Sequence, residues 1–183
     1  MRAAILVEGV SDAAALHALA ARRDRDLSAE GIEILVLDGA TNAVRYLREY
    51  GPIGQDLKLA GLFDEAEERF FRLGLERAGF EPGPATEDLE KLGFYVCRAD
   101  LEDELIRAVG ADQVLRIIAA QGEQRSFRTL QRQPAMRDKT LLHQLRRMMG
   151  GRSGGKERWA RLLAEAVPLE RVPRPLDAVL ARL

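Results

Sequence analysis

Short apolar runs alternate with helical patterns through the first half of the chain, and this alternation constrains the fold more than any other feature. The strand-like runs cover Ala3 to Val7, Ile32 to Leu37, Leu59 to Phe63 and Gly93 to Cys97. Amphipathic patterns typical of helices follow the first three runs. Strands that alternate with helices pair in parallel through crossover connections. The sequence therefore predicts an α/β fold with a mostly parallel four-stranded sheet flanked by helices.

The second half of the chain predicts helices and no further strand. Helical patterns after Asp100 cover residues 102–109, 112–121, 126–133, 138–149 and 157–166. Pro82 and Pro84 predict that residues 80–91 form a loop, and the proline-containing tail predicts only a short final turn of helix. We expect an α/β core over residues 1–112 and a basic helical extension over residues 113–183.

The charges are divided unevenly, although the net charge of the chain is only −1. Residues 1–115 contain 13 Lys and Arg against 23 Asp and Glu, a net charge of −10, whereas residues 116–183 contain 15 against 6, a net charge of +9. Carboxylates collect cations, and guanidinium groups collect polyanions. The division suits a metal-dependent enzyme that acts on phosphate chains, but attraction between the two halves of one folded unit explains it equally well.

Two further features limit the class of protein. The sequence has no run of about eighteen apolar residues, so it predicts no membrane-spanning helix and no membrane partner. Its single cysteine, Cys97, cannot form an internal disulfide and fits a reducing, cytoplasmic environment. The apolar run that ends at Cys97 predicts a buried strand residue for it in preference to a nucleophile.

Acidic residues follow the predicted strands where parallel sheets bind ligands. Glu8 follows the first strand, Asp64 follows the third, and Asp100 and Glu102 follow the fourth, while Asp12 lies one turn into the first helix. The carboxyl ends of parallel strands meet at one edge of the sheet, so these side chains can converge there. Several carboxylates together form a site for Mg²⁺ or Mn²⁺. For Asp64 and Asp100, capping of the next helix is the alternative role.

These segments resemble the Toprim domain of topoisomerases, bacterial primases, recombination proteins and nucleases of the OLD (overcoming lysogenization defect) family. The likeness is closest to the OLD type and covers roughly residues 3–166. LVEGVSDAAAL is similar to the opening motif, LDGATNAVRYL to the second strand and helix, AGLFDEAEE to the third-strand motif, and RADLEDEL to the Asp-x-Glu segment. SGGKERWARLLAE is similar to the C-terminal lysine segment and makes Lys156 the matching lysine. The resemblance implies a Toprim, Rossmann-like fold.

The resemblance also implies a divalent-metal-dependent phosphodiester hydrolase that nicks or cleaves DNA. Glu8, Asp12 and Asp64 would hold one Mg²⁺ or Mn²⁺ ion that activates water, and Asp100 and Glu102 would help to hold a second ion at the leaving oxygen. Glu8 and Lys156 are the expected catalytic residues, the lysine offsetting charge in the transition state. The arginines expected to bind the nucleic-acid backbone are Arg125, Arg128, Arg132, Arg146, Arg147, Arg152 and Arg158.

The segment GGRSGGKE, residues 150–157, also fits the G-x-x-x-x-G-K pattern of a nucleotide-binding P-loop. Glu157 stands where that motif needs a magnesium-binding hydroxyl, and the preceding TLLHQLRRMM predicts a basic helix where a P-loop needs a buried strand. We interpret the segment as a glycine-rich loop that presents Lys156 at the start of a helix. An ordinary surface lysine is the alternative.

One departure from the Toprim pattern keeps a second hypothesis open. The third-strand motif is usually Asp-x-Asp, but here it is Asp64-Glu65-Ala66, so the second metal position is in doubt unless Glu65 or Glu67 replaces the aspartate. The alternative function is a non-catalytic Toprim-like module that binds nucleic acid or a protein. A phosphotransferase or phosphatase for a small substrate is a third hypothesis and needs an enclosed pocket. The chain resembles a free-standing Toprim domain, so we expect any ATPase partner to be a separate chain.

Overall fold

A computed structural model describes residues 1–151 and 155–183 of the chain. Its strands in that part of the chain are β1 (Ala3–Val7), β2 (Ile32–Val36), β3 (Lys58–Asp64) and β4 (Phe94–Cys97). They form one parallel sheet in the order β2-β1-β3-β4. The predicted α/β fold with a four-stranded parallel sheet is confirmed.

Helices surround the sheet and make up most of the second half. The first five are α1 (Val10–Arg22), α2 (Ala43–Tyr50), α3 (Glu68–Arg77), α4 (Thr86–Lys91) and α5 (Leu101–Val109). The others in the described residues are α6 (Ala111–Ala120), α7 (Gln124–Gln131), α8 (Leu141–Met149), α9 (Gly155–Ala166) and α10 (Arg174–Arg182). Short 3₁₀ turns occur at Ala40–Asn42, Glu65–Glu67 and Leu169–Arg171. No helix of the described residues is long and apolar enough to cross a membrane.

The sheet is covered on both faces because successive side chains of its strands point to opposite sides. Ile5 and Leu62 pack in one hydrophobic cluster with α1, the helices from α5 to α9, and α10. Leu6 and Phe63 pack in the other cluster with α2, α3 and α4. Burial on both faces explains why the strands are continuous apolar runs that the sequence identifies clearly.

The helical second half packs directly on the α/β core. Helix α9 lies against α1, and α10 contacts β3 and β4. The Arg22 guanidinium donates hydrogen bonds to the carbonyl oxygens of Ala164 and Val167, at 2.7 and 2.6 Å, and so satisfies the C-terminal end of α9. The predicted boundary between residues 112 and 113 lies within α6, and the division into two domains stays a prediction.

Two local predictions were wrong. The expected loop over residues 80–91 contains α4, which is held by the fully buried side chain of Leu89 and by a hydrogen bond from Thr86 Oγ1 to Glu68 Oε2 of 3.0 Å. The tail forms the nine-residue helix α10 where only a short turn was expected, because Leu176 and Leu180 bury an apolar face against the core. Pro175 near the start of α10 is compatible with a helix, since the first turn needs no backbone donor.

Candidate active site

The predicted acidic residues meet at the ends of the two central strands. A cavity of about 460 Å³ lies beyond the carboxyl ends of the neighbouring strands β1 and β3. After β1 the chain continues into α1 on one face of the sheet, and after β3 it continues into α3 on the opposite face. Such a crossover switch is the usual ligand site of a parallel α/β sheet. The charged residues that line the cavity are Glu8, Asp12, Asp38, Asp64, Glu102 and Lys156. We refer to Glu8, Asp12, Asp64 and Glu102 as the cavity carboxylates.

Glu8 and Asp12 are placed by the junction of β1 with α1. Asp12 Oδ2 accepts a hydrogen bond of 2.8 Å from the Gly9 N–H, which fixes the carboxylate at the first turn of the helix. The residue is only 8% exposed. Glu8 Oε2 is buried and has no hydrogen-bond partner among the described residues. A buried carboxylate oxygen in that state is costly unless a cation or a proton neutralises it.

Asp64 and Glu102 complete the cavity carboxylates from the other strand end and from α5. Asp64 is the last residue of β3, and within the described chain its side chain makes no capping hydrogen bond to the turn that follows. The side chain of Glu102 is 7% exposed, and Lys156 Nζ lies 3.5 Å from its Oε1. That separation allows an ion pair but is too long for a good hydrogen bond, and Oε1 otherwise lacks a partner in residues 1–151 and 155–183.

Burial and mutual repulsion raise the pKa values of Glu8, Asp12 and Asp64. Burial first, and then the charges of Asp12, Glu8, Asp100 and Glu102, raise the pKa of Asp64 from its ordinary 3.8 to about 8. Burial is also the main reason that the pKa of Asp12 rises to about 7, although the Gly9 N–H opposes the rise. The pKa of Glu8 is raised by burial and by Glu67, while Lys156 lowers it. The cavity carboxylates are therefore electrostatically coupled.

The cavity carboxylates fit a hard divalent cation in chemistry. All four offer oxygen donors, and Mg²⁺ and Mn²⁺ prefer oxygen donors. The buried Glu8 and Glu102 oxygens that have no protein partner among the described residues are the structural sign of such a role. In the same part of the chain, no three His, Cys, Asp or Glu side chains are already drawn together as a ligand cluster. Ligation would therefore require the carboxylates to turn toward one ion.

Asp100 lies close enough to raise the pKa of Asp64, but unlike Glu102 it has protein partners for both carboxylate oxygens. It is the N-cap of α5, with Oδ1 accepting a hydrogen bond of 2.8 Å from the Asp103 N–H. Oδ2 accepts a hydrogen bond from the guanidinium of Arg146 on α8. Asp100 lines a smaller adjoining cavity of about 220 Å³ together with Glu102 and Lys156. The capping role that was its alternative interpretation is thus observed.

Lys156, the second residue of α9, stands between the two cavities. It lines both of them and faces Glu102. The predicted lysine therefore lies beside the predicted acids, with its side chain still 59% exposed. An ammonium group in this position can neutralise charge on a ligand that enters from solvent.

The seven predicted backbone-binding arginines fall into different environments. Arg147 lines the smaller cavity and also a third cavity of about 440 Å³, which Arg125 lines as well. Arg146 pairs with Asp100, and Arg158 pairs with Glu123 while its guanidinium carbon lies 4.8 Å above the Trp159 ring. The two that are simply exposed are Arg128 and Arg132. The remaining prediction, Arg152, lies outside the described residues.

Sequence reasoning missed one acidic residue that lines the site. Asp38 follows β2, lines the main cavity and has a left-handed backbone with φ of 53°. The same rule that selected Glu8 and Asp64, a carboxylate at a strand end, also applies to it. Glu67 acts on the pKa of Glu8, whereas Glu65 lines a separate cavity with Glu68. Of the two residues considered as replacements for the missing motif aspartate, only Glu67 is close enough to influence the site.

Comparisons with known proteins agree with this architecture. Residues 1–64 match the family model "Overcoming lysogenization defect protein-like, TOPRIM domain". The C-terminal region of the Xanthomonas campestris pv. campestris OLD protein is 26% identical with a TM-score of 0.71, and the match covers 99% of this chain and 93% of that one. The C-terminal region of the Burkholderia pseudomallei OLD protein is 23% identical with a TM-score of 0.70, covering 99% and 96%. No curated protein matches the sequence.

The resemblance inferred from the motifs is confirmed by these matches. The similarity to an OLD-type Toprim domain is detected in sequence over residues 1–64, which contain Glu8, Asp12 and Asp64. In fold it extends over nearly the whole chain and includes the helices that carry Asp100, Glu102 and Lys156.

Proposed function

We propose that the chain is a divalent-metal-dependent phosphodiester hydrolase that nicks or cleaves nucleic acid, with DNA as the expected substrate. The observation that carries the proposal is the position of the cavity carboxylates. They converge at the switch point of an OLD-type Toprim fold, beside Lys156. Two of their buried oxygens, on Glu8 and Glu102, lack a hydrogen-bond partner in the described part of the chain.

The proposed roles follow from the surroundings of each side chain. Glu8, Asp12, Asp64 and Glu102 would hold Mg²⁺ or Mn²⁺, which when bound neutralises phosphate charge and activates water for hydrolysis. The Gly9 N–H keeps Asp12 oriented toward the cavity. Lys156 would place its ammonium group against the phosphoryl oxygens, where negative charge increases during the displacement.

The basic residues next to the site support a polymeric substrate. Glu102 and Lys156 line both the main cavity and the smaller one, and Arg147 lines both the smaller cavity and the third one. Shared lining residues thus connect the three cavities into a path from the cavity carboxylates to Arg147 and Arg125. Such a path suits a phosphate backbone better than a single small phosphate ester, because successive phosphates repeat the charge along its length.

The arginines are not expected to contribute equally to backbone binding. Arg125 and Arg147 line the path, and Arg128 and Arg132 are exposed on the same helical half. Arg158 is engaged with Glu123 and with the Trp159 ring, so its main role is packing of α9. We therefore assign phosphate contacts first to Arg125 and Arg147.

A non-catalytic nucleic-acid or protein-binding module is the second candidate. Two observations favour it: position 66 is alanine where the Toprim motif has an aspartate, and Asp100 is paired with Arg146. A chain of this kind would bind through its basic half and would not cut. Binding without metal-dependent cleavage is the property that separates the two candidates.

Cleavage of supercoiled plasmid tests the proposal. We expect the wild type to nick the plasmid with Mg²⁺ or Mn²⁺ and not with EDTA. Glu8→Gln and Lys156→Gln should each lose at least about 100-fold in rate, as is usual when a group that stabilises developing charge is removed. Glu65→Gln and Lys139→Gln, matched changes at exposed positions, should keep the wild-type rate. Plasmid binding without nicking by either ion would replace the hydrolase with the second candidate.

A further inference from the structure

The two acids that open α5 have opposite surroundings. Both oxygens of Asp100 are engaged, Oδ1 by the Asp103 N–H and Oδ2 by Arg146. The side chain of Glu102 is 7% exposed, and its Oε1 has no hydrogen-bond partner within the described residues. The buried Glu102 oxygen has only the Lys156 ammonium 3.5 Å away and can still accept a ligand, whereas Asp100 is hydrogen-bonded directly by a guanidinium.

We propose that this chain binds a single divalent cation at the cavity carboxylates and that the Arg146 guanidinium takes the place of a second one. The inference rests on the hydrolase function proposed above and specifies which positive groups surround its site.

Three features of the chain oppose a second ion at Asp100. Position 66 is alanine and offers no ligand, Glu65 lines a different cavity, and Glu67 acts on the pKa of Glu8, one of the cavity carboxylates. An ion bound to both Asp100 oxygens would have to break the helix cap and displace Arg146. Arg146 Nη1 also lies 3.8 Å from Asp103 Oδ1, so the guanidinium is held by two carboxylates. A divalent ion next to it would be repelled in a partly buried site.

Glu102 belongs instead with the first ion. It lines the main cavity together with Glu8, Asp12, Asp64 and Lys156, whose Nζ is 3.5 Å from Glu102 Oε1. The carboxylates near the site thus include the four cavity carboxylates, with Asp38 lining the same cavity, and an Asp100–Asp103 pair that holds Arg146. Once ionised, the cavity carboxylates carry four negative charges, of which a divalent ion and Lys156 would offset three. The two negative charges of the Asp100–Asp103 pair are offset by Arg146 and Arg107.

A guanidinium at this place can supply part of the positive charge that a second metal ion would supply. Arg146 lines the smaller cavity with Arg147, His143 and Lys156, directly beside Glu102. Its charge is permanent, and its planar group presents several donors that match phosphoryl oxygens. It cannot be removed by a chelator. The chain would therefore need only one exchangeable ion to surround a phosphate with positive charge on two sides.

The number of bound Mn²⁺ ions tests the inference without reference to activity. Titration of the full chain, followed by the electron paramagnetic resonance signal of free Mn²⁺, is expected to give one ion per chain that Glu8→Gln abolishes. Asp100→Asn should leave the count at one, because Asn keeps the helix cap and Asp100 is not a ligand. Glu65→Gln is the matched control for weak binding to the acidic surface. Circular dichroism of each variant verifies that it is folded.

A second variant tests the role of Arg146 itself. Arg146→Gln frees the Asp100 carboxylate, so we expect it to bind a second Mn²⁺ ion, and the double variant with Asp100→Asn should return to one. A count that stays at one in Arg146→Gln would contradict the proposal that Arg146 occupies the place of a second divalent ion. Two ions in the wild type, one of them lost in Asp100→Asn, would overturn the inference but leave the hydrolase proposal intact. No Glu8-dependent ion at all would overturn both.

Discussion

Two groups of carboxylates lie side by side in this molecule and differ in how their charge is balanced. At the ends of β1 and β3, Glu8 and Glu102 keep buried oxygens that have no hydrogen-bond partner in the described chain. At the contact of α5 with α8, Asp100 and Asp103 are paired with Arg146, and Asp103 also pairs with Arg107. The first arrangement reduces stability unless a ligand or a proton neutralises it, whereas the second joins α5 to α8 through ion pairs.

This difference indicates which buried acids are candidates for a functional role. A buried acid with a guanidinium partner is explained by the fold itself. A buried acid without one opposes folding, and a bound ligand is the simplest reason for a sequence to keep it. By this criterion the cavity carboxylates are the candidate site, and Asp100 is part of its support.

The largest expected effect is the difference between substituting one acid of each group. Glu102→Gln should reduce metal-dependent plasmid nicking by at least about 100-fold, because it removes a proposed ligand, and even changes one shell further from a metal usually cost 10–100-fold. Asp100→Asn, only two residues away, should keep most of the rate, since Asn retains the cap of α5. Nicking rates of the two purified variants decide the matter. The reverse order of effects would contradict the division drawn here.

The next effect concerns stability and its dependence on pH. Burial and neighbouring acids raise the pKa of Asp64 to about 8 from 3.8, so between these pH values the folded chain holds a proton that the unfolded chain has released. The contribution of Asp64 to the free energy of unfolding is therefore intact below pH 4 and falls as pH rises through 8. Asp64 is only partly buried, so solvent screening reduces the effect.

We therefore expect Asp64→Asn to be more stable than the wild type by about 1–3 kcal/mol at pH 8.5 without metal. The gain should shrink toward pH 5, and saturating Mn²⁺ should stabilise the wild type more than the variant. Urea unfolding at the two pH values, with EDTA and then with Mn²⁺, measures the stability difference between the two proteins and its change on metal binding. A variant that is less stable than the wild type at pH 8.5 in EDTA would show that Asp64 is not under electrostatic strain.

The smallest expected effect is on binding of the nucleic-acid backbone. Replacing both Arg125 and Arg147 by Ala should weaken DNA binding about tenfold and lower the salt dependence by about two phosphate contacts. Fluorescence anisotropy in EDTA measures binding without cleavage. Arg116→Ala with Arg171→Ala, at exposed positions of the same basic half, is the control. Equal losses in both double variants would mean that the path carries no special contact.

The fold was predictable where one strong local signal was enough. β1 begins and ends at the predicted residues, because a strand buried on both faces must be apolar throughout. Helices α4 and α10 were not predicted in full, because Pro82, Pro84 and Pro175 indicate loops when taken alone. What stabilises these helices is burial of Leu89 and Leu176 against distant parts of the chain, and no local pattern contains that information.

The residues of the candidate site were likewise predictable only in part. Glu8 and Asp64 follow from the rule that ligands bind beyond parallel strands, and that rule would also have found Asp38. The partner of Asp100 could not be found, because Arg146 lies 46 residues later and is one of many basic residues in its half. Only the packing of α8 against α5 identifies which arginine meets which acid.

Proton release on metal binding tests the central claim most directly. Burial and neighbouring charges hold the pKa of Asp12 at about 7 and that of Asp64 at about 8, so both carboxylates must lose protons before they can bind a cation at pH 7. Titration of Mn²⁺ into the weakly buffered chain should release between about one and two protons per bound ion, and Glu8→Gln should abolish both the binding and the release. Mn²⁺ binding with no proton release and no dependence on Glu8 would contradict the account.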